Sequence, residues 1–430
     1  GSWVKVQQAN SEGLVSLSTV SADGGFQFGS YDPLAFGEAD ASANRMDISV
    51  AANDFTQLVD GKLSLYVQDV EAGYSAPGLA TLRDTTTWGG RFEMPVGERI
   101  SLSAKVDQQE QDQGLETSTA ELNMGYDLTR RWNVQAGVRR DGRDDRSPVV
   151  LATQETGDRT DAVVQVGYDP RTTWNSYMFV QETLTTTGNR RDNSRIGVGG
   201  KYLLSDKLEL NMEMSDGDLG MGGRVGSNYA HSENTSLYLN YALENERTDN
   251  VTRNVRGSQG NLTAGLRSRL ADNTSVFLEE RYQHNEAMTG LTHATGITFA
   301  PTERWNLGVN TDMGTLVDRQ TGAETERIAG GIQLGFNFDA LQFASALEYR
   351  NDDSEQLDLT RTERTTWLLR NNFKYQRSAG SRLVGKLNHS TSESSLGTFY
   401  DGGFTEAVLG YAFRPVASDR LNAMVTNTYF

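Results

Sequence analysis

Apolar and polar residues alternate with a period of two over long stretches of this chain. In 206–215, Leu208, Leu210, Met212 and Met214 make one face and Glu209, Asn211 and Glu213 the other. In 234–246 the apolar face is Leu237, Leu239, Tyr241 and Leu243, opposite Ser236, Asn240 and Glu244. In 305–314, Trp305, Leu307, Val309 and Met313 oppose Asn306, Asn310 and Asp312, and in 161–168, Ala162, Val164, Val166 and Tyr168 oppose Asp161 and Gln165. Such patterning over about eight to twelve residues predicts strands with one apolar and one wet face. Strands of a soluble sandwich usually run about five or six residues. These are longer, and their tight-turn signals fall on one side only.

The turns recur about every forty residues, where an aromatic, a tight polar turn and a bulky residue restart the alternation. The pattern reads GYDLTRRWNV at 125–134, GYDPRTTWNS at 167–176, TFAPTERWNL at 298–307 and, more loosely, GYAFRPVASDRLNA at 410–423. YLLSDKLEL from Tyr202, GFNFDALQF from Gly335 and KYQRSAGSRL from Lys374 keep the layout without the Trp. Short turns are expected near 96–97, 128–131, 169–172, 205–207, 232–234, 271–274, 301–304, 339–340, 378–381 and 415–419, with a longer one near 54–61. The opposite connections, rich in Asp, Glu, Arg, Thr and Gln, are expected at 108–114, 141–158, 246–258, 317–324 and 351–361. Long strands joined alternately by tight turns and charged loops predict a large antiparallel transmembrane β-barrel of roughly 22 strands, short turns in the periplasm and long loops outside. The barrel is expected over 44–430, with 1–43 as a first strand or a periplasmic or lumenal segment. By this count the last strand ends on the outer side, whereas bacterial barrels end inward. Either the count is off by one or the barrel continues beyond Phe430, and continuation is the expectation.

Aromatics sharpen the assignment. Trp132, Trp174 and Trp305 each follow a short turn, and Tyr126, Tyr168, Tyr202, Phe338, Tyr375 and Phe413 each precede one. They are expected to form an interfacial girdle at one end of the strands. By parity Glu209, Glu213, Glu244, Asp312, Glu348, Arg139, Arg350, Arg370, Lys374 and Lys386 face the lumen. Arg or Lys on the lipid face costs up to roughly 2–4 kcal/mol at the midplane.

The chain has 430 residues, 37% hydrophobic, with no run near the eighteen or more apolar residues of a membrane helix. Only every second strand residue of a barrel faces lipid, so the average conceals the alternation. There is no cysteine, which removes disulfides, thiolate metal sites, cysteine nucleophiles and haem-attachment motifs. A net charge of −17 argues against nucleic acid. Expected partners are outer-membrane lipid and lipopolysaccharide, with a lumenal or periplasmic protein as a further one.

The stretches SLYVQDVEAGYSAPG (64–78), SPVVLATQETGDRTDAVV (147–164), LYLNYALENERTDN (237–250), SVFLEERYQHNEAMTGLTHATG (275–296) and SLGTFYDGGFTEAVLGYAFRPVASDRLNA (395–423) resemble a group of very large Gram-negative outer-membrane proteins. In these, repeated surface-type domains precede a C-terminal barrel. The resemblance covers most of the chain from about residue 60. It implies a barrel that anchors, or forms a conduit for, a larger cell-surface protein. The polar lumen leaves two alternatives open: a stand-alone porin for small hydrophilic solutes, and a sheath around a lumenal partner such as a multihaem cytochrome. A transporter with a lumenal plug is not expected, since a plug has no room before the first strand.

No catalytic motif is present, and no enzymatic role or cofactor is expected. Of the histidines His231, His284, His293 and His389, His284 and His293 flank the tip at 286–290 and could meet across a hairpin near Glu279 or Glu286; two histidines fall short of a metal site. Asn388-His389-Ser390, placed at a strand end, points adjacent residues to opposite faces. Asp216-Gly217-Asp218-Leu219-Gly220 resembles half a calcium loop without the spaced ligands and closing Glu, and reads as a tight turn.

Overall fold

The computed structural model describes residues 41–51, 60–72, 75–76, 79–80, 83–148, 155–245, 258–284, 288–319, 321–355, 360–396, 402–413 and 423–429. The strands are β1 (Ala43–Ala51), β2 (Lys62–Val70), β3 (Ser75–Ala76), β4 (Leu79–Ala80), β5 (Thr85–Val96), β6 (Ile100–Gln111), β7 (Leu115–Asp127), β8 (Trp132–Asp145), β9 (Gly157–Tyr168), β10 (Trp174–Thr186), β11 (Arg195–Ser205) and β12 (Leu208–Gly217). They continue as β13 (Gly222–Ala230), β14 (Thr235–Asn245), β15 (Ser258–Ala271), β16 (Thr274–His284), β17 (Met288–Thr302), β18 (Trp305–Asp318), β19 (Glu324–Phe338), β20 (Leu341–Glu355), β21 (Arg361–Ser378), β22 (Ser381–Ser394), β23 (Gly402–Phe413) and β24 (Ala423–Tyr429). All but the two-residue β3 and β4, which pair only with each other, form one 22-stranded antiparallel barrel sheet. Each strand pairs with its neighbours in sequence, and β2 pairs directly with β5. Among the described residues no ladder joins β24 to β1. Both β1 and β24 have their outer termini at the long-loop end, as the expected strand direction required.

One face of the sheet is apolar and exposed, the other polar and buried. On β12, Met212 and Met214 are 52% and 57% exposed while Glu213 between them is 2% exposed. The same inversion runs through Val164 against Gln165, Leu347 against Glu348 and Val309 against Asn310. With no second layer to cover it, the buried face is shielded by its own long polar side chains lying against their neighbours along the concave wall.

Short polar side chains build the tight turns by capping backbone N–H groups. Thr129 Oγ1 accepts from Arg131 N (3.2 Å) and Trp132 N (3.1 Å). Ser205 Oγ accepts from Lys207 N and Leu208 N, and Asp169 Oδ1 from Arg171 N at 2.7 Å, where Arg171 has φ 59°.

The opposite connections are shorter than their composition predicts. The ladder continues into segments expected as loops: Gln108–Glu116 closes through a turn at 112–114, Asp141–Asp145 belong to β8, Val317 and Asp318 to β18, and Asn351–Glu355 to β20. Glu324 pairs with Glu355, and Glu355 with Arg361. These residues lose the apolar alternation because neither face of the sheet meets lipid there, yet the backbone pairing persists. The segment 246–257 and the turns at 54–59 and 415–419 lie outside the described residues, as do 1–40 and Phe430.

A closed barrel should keep its folded shape in detergent until boiled, so unboiled and boiled protein should migrate differently on SDS gels. Leu239→Lys, on the exposed face, should lose the folded band by roughly 2–4 kcal/mol of insertion free energy. Asn240→Lys, on the opposite face, should keep it. Equal migration of the boiled and unboiled wild type, or the reverse pattern in the variants, would count against this architecture.

Candidate functional site

The buried face carries charge around most of the sheet, arranged as pairs across and along strands. On β7–β8, Arg139 bridges Glu121 (3.6 Å) and Asp141 (3.3 Å), and Arg143 also reaches Asp141 (3.3 Å). Arg159 pairs with Asp161 (2.8 Å) on β9, and Lys201 with Glu209 (2.6 Å) across β11–β12. Arg281 joins Glu279 (2.7 Å) to Asp312 (3.3 Å) across β16–β18. Asp352 is held between Arg327 (2.7 Å) and Arg350 (3.2 Å), Arg370 binds Glu348, and Lys386 binds Glu406 (2.7 Å). Buried ions need such partners because desolvation otherwise outweighs their attraction.

Nine of the ten sequence-expected inward residues can be placed on this face. Glu213, Asp312, Glu348, Arg139 and Arg350 are buried, while Glu209, Arg370 and Lys386 are half-buried in the pairs just named. Lys374 stands exposed near the turn end, in register with Gln342. Glu244 pairs with Gln259 on the ladder, and its side chain lies outside the described residues.

The loop at 187–194 folds over this wall. Arg190, its side chain fully buried, donates to Asp141 Oδ1 at 2.5 Å. Asn193 O accepts from Gln181 Nε2, and Arg191 O from Arg159 Nη1. The chemistry of the loop sequence does not announce this, because an Arg in a charged loop reads as solvated.

A second device was also hidden in the sequence. Tyr66 on β2 lies against Gly89 on β5 and donates to Asp107 Oδ1 on β6 at 2.7 Å. Tyr177 on β10 lies against Gly199 on β11 and donates to Glu213 on β12. Tyr238 on β14 lies against Gly265 on β15 and donates to Glu279 on β16. Each tie spans three successive strands, and the glycine exists for close approach: a Cβ on Gly265 would sit 2.3 Å from Tyr238 Cζ. The alternation shows that Tyr66 and Tyr238 oppose the apolar face, but the glycine and carboxylate partners require the register.

On the exposed face, Trp132, Trp174, Trp305, Tyr202, Tyr375, Phe338 and Phe413 stand at the turn end, with Tyr126 and Tyr168 half-buried beside them. Tyr168 packs between Trp132 (4.6 Å) and Trp174 (5.4 Å). Toward the loop end the same face carries Trp88, Tyr241, Tyr282 and Trp367, with Tyr349 packed on Trp367 at 4.7 Å. On β21, Trp367 and Tyr375 are about 27 Å apart along the strand at ~3.4 Å per residue. A tilt of roughly 40° projects this to ~20 Å, close to the band of about 25 Å in membrane barrels. Beyond Tyr349 and Trp367, Arg361 lies against Asp353 and holds its carboxyl below the usual range through a hydrogen bond and charge attraction.

The histidines separate. His293 faces outward against Glu280 on β16, with Glu279 on the opposite face, while His284 Nε2 meets Arg319 Nη1 at 3.3 Å, so the two do not meet across the hairpin; Glu286 lies outside the described residues. Asn388-His389-Ser390 sits mid-strand on β22 instead of at a strand end: Asn388 and Ser390 are buried, and His389 Nδ1 meets Thr405 Oγ1 at 2.9 Å on the other face. Asp218 Oδ2 accepts from Ser194 N at the turn after β12. Among the described residues no three His, Asp or Glu are grouped to hold a metal ion.

Gly265→Ala should displace the Tyr238 phenol and break its bond to Glu279, costing about 1–3 kcal/mol in urea unfolding from micelles. Tyr238→Phe should cost about 1 kcal/mol. The double variant should fall below the sum; strict additivity would mean the three residues do not act as one unit.

No family profile matches the chain, and no curated protein sequence matches it either. Among solved structures, pyoverdine-bound FpvA of P. aeruginosa superposes with a TM-score of 0.51 at 12% identity, covering 91% of this chain and 70% of that one. The copper transporter OprC gives 0.48 at 10% identity, covering 83% and 75%, and the siderophore receptor PirA of Pseudomonas aeruginosa gives 0.46 at 11%, covering 86% and 87%. The chain thus has the fold of a large outer-membrane β-barrel.

Proposed function

We propose that the protein resides in the outer membrane of a Gram-negative bacterium and encloses a wet conduit through it. The observation that carries this reading is the pairing of two opposite surfaces on one sheet. An apolar outer face ends in aromatics at both margins, and a charged, ion-paired inner face lies behind it. Lipid and the inner part of lipopolysaccharide cover the first, and water or a hydrophilic cargo fills the second. A barrel of this strand number is too wide to be filled by its own side chains. The aromatics at the turn end and those at the loop end serve as the two interfacial girdles, and the inward pairs line the passage.

Purified protein that shows the heat-dependent gel shift should insert into planar lipid bilayers and give stepwise, ohmic conductance. Folded protein that never conducts would overturn the open conduit and favour a lumen occupied by a partner, as in the sheath reading. The anchor role is supported by the sequence resemblance to very large surface proteins. The intact mass of the native protein in its own outer membrane separates the two: a value far above 47.3 kDa supports the anchor, and a value near it the stand-alone porin.

A further inference from the structure

Between β14 and β19, near the turn end, the inner wall opens into a cavity of about 560 Å³. That volume falls within the roughly 300–1,000 Å³ of small-molecule sites. Two adjacent rows of the ladder build it. The first runs Ser236, Arg267, Phe277, Gly296, Asn310 across five strands. The second runs Arg269, Ser275, Thr298, Gly308, Gln333.

Small residues hollow the wall. The ring of Phe277 lies over Gly296, where a Cβ would come within 2.3 Å of it. Gly308 sits between Thr298 and Gln333 with no side chain of its own. Phe277 therefore turns one side to the wall and the other to the cavity it lines.

The charge of this niche departs from the rest of the wall. Arg267 lies over the Tyr238 ring at 5.3 Å, and its Nη2 is buried without a hydrogen bond. Among the described residues no carboxylate lies within ion-pair reach of Arg267. Arg269 is oriented by a turn residue, donating Nε (3.0 Å) and Nη2 (2.6 Å) to Asn234 Oδ1. Glu233 stands exposed on the turn at the rim of the cavity, Asp272 is exposed in the turn between β15 and β16, and Glu279 is already held by Arg281 and Tyr238. Two guanidinium groups thus face one hollow whose other polar lining is mainly hydroxyl and amide.

We propose that this niche binds a small hydroxylated organic anion of the sugar-acid class. The arginine pair supplies the planar donors that match a carboxylate. Ser236, Ser275, Thr298, Asn310 and Gln333 supply partners for hydroxyls, and the free side of Phe277 takes the C–H face of a sugar ring. The proposal rests on the lumen being reachable from water, as in the conduit reading, but its test does not depend on conductance.

The test is equilibrium dialysis of the full chain in detergent against labelled D-glucuronate, with glucose and acetate as comparators. Glucuronate should bind at least tenfold more tightly than either comparator. Arg267→Gln/Arg269→Gln should weaken it at least tenfold, Arg269→Lys should retain part of the affinity, and Arg130→Gln, in an exposed turn at the same end, should change nothing. Every variant is scored only if it keeps the heat-dependent gel shift, which separates loss of binding from loss of the barrel. Absence of glucuronate binding by folded wild type, equal binding of glucose, or full binding by the double variant would overturn the proposal. So would equal binding of acetate, which would reduce the site to bare charge attraction.

Discussion

A backbone in hydrocarbon has no water to bond with, so each N–H and C=O must find a partner within the protein. Between β1 and β24 that requirement is met by ladders joining each strand to the next in the sheet, and much of the molecule follows from it. A strand held on both sides can only point its residues alternately outward and inward. Outward positions meet lipid and are apolar. Inward positions are removed from lipid, so charge is tolerated there.

The inner charges are organised as well as permitted. Glu121, Arg139, Asp141, Arg143 and Arg190 form one connected patch in which loop and wall share a single carboxylate, Asp141. Such a patch fixes the position of the loop at 187–194 relative to β8 through contacts that weaken if either sign is removed. Breaking a buried pair from one side leaves its partner charged and desolvated. The arginine niche near the turn end follows a different rule: its cations are oriented by a ring and an amide oxygen, so their positive field is not cancelled on the spot.

The fold was legible because alternation is a local property. Leu237, Leu239 and Tyr241 against Asn240 declare a two-faced strand from a dozen residues, and the capped turns at Thr129 and Asp169 are equally local. The loop-side margins were misplaced for a physical reason. Above the lipid both faces of the sheet are wet, so Asn351–Glu355 read as loop while their backbone stays paired. The Tyr–Gly–carboxylate ties, the inward reach of Arg190 and the shared cavity of Arg267 and Gln333 join residues far apart in sequence. No single segment carries them, since their contacts exist only once the stagger of neighbouring strands is set. The aromatics near the loop end, such as Trp88 and Trp367, were missed because no tight turn marks them.

That stagger has a consequence through the tyrosine ties. Two neighbouring strands that slip by two residues keep every side chain on its proper face, so alternation alone cannot forbid the error. Such a slip at β14–β15 would carry Tyr238 off Gly265 and onto Thr263 or Arg267, where a Cβ blocks the ring. The glycine works as a detent, and the carboxylate one strand further on checks a second slip in the same direction. For a fixed number of strands, accumulated stagger sets tilt and hence circumference. Tyr66, Tyr177 and Tyr238 therefore gauge the width of the barrel strand by strand.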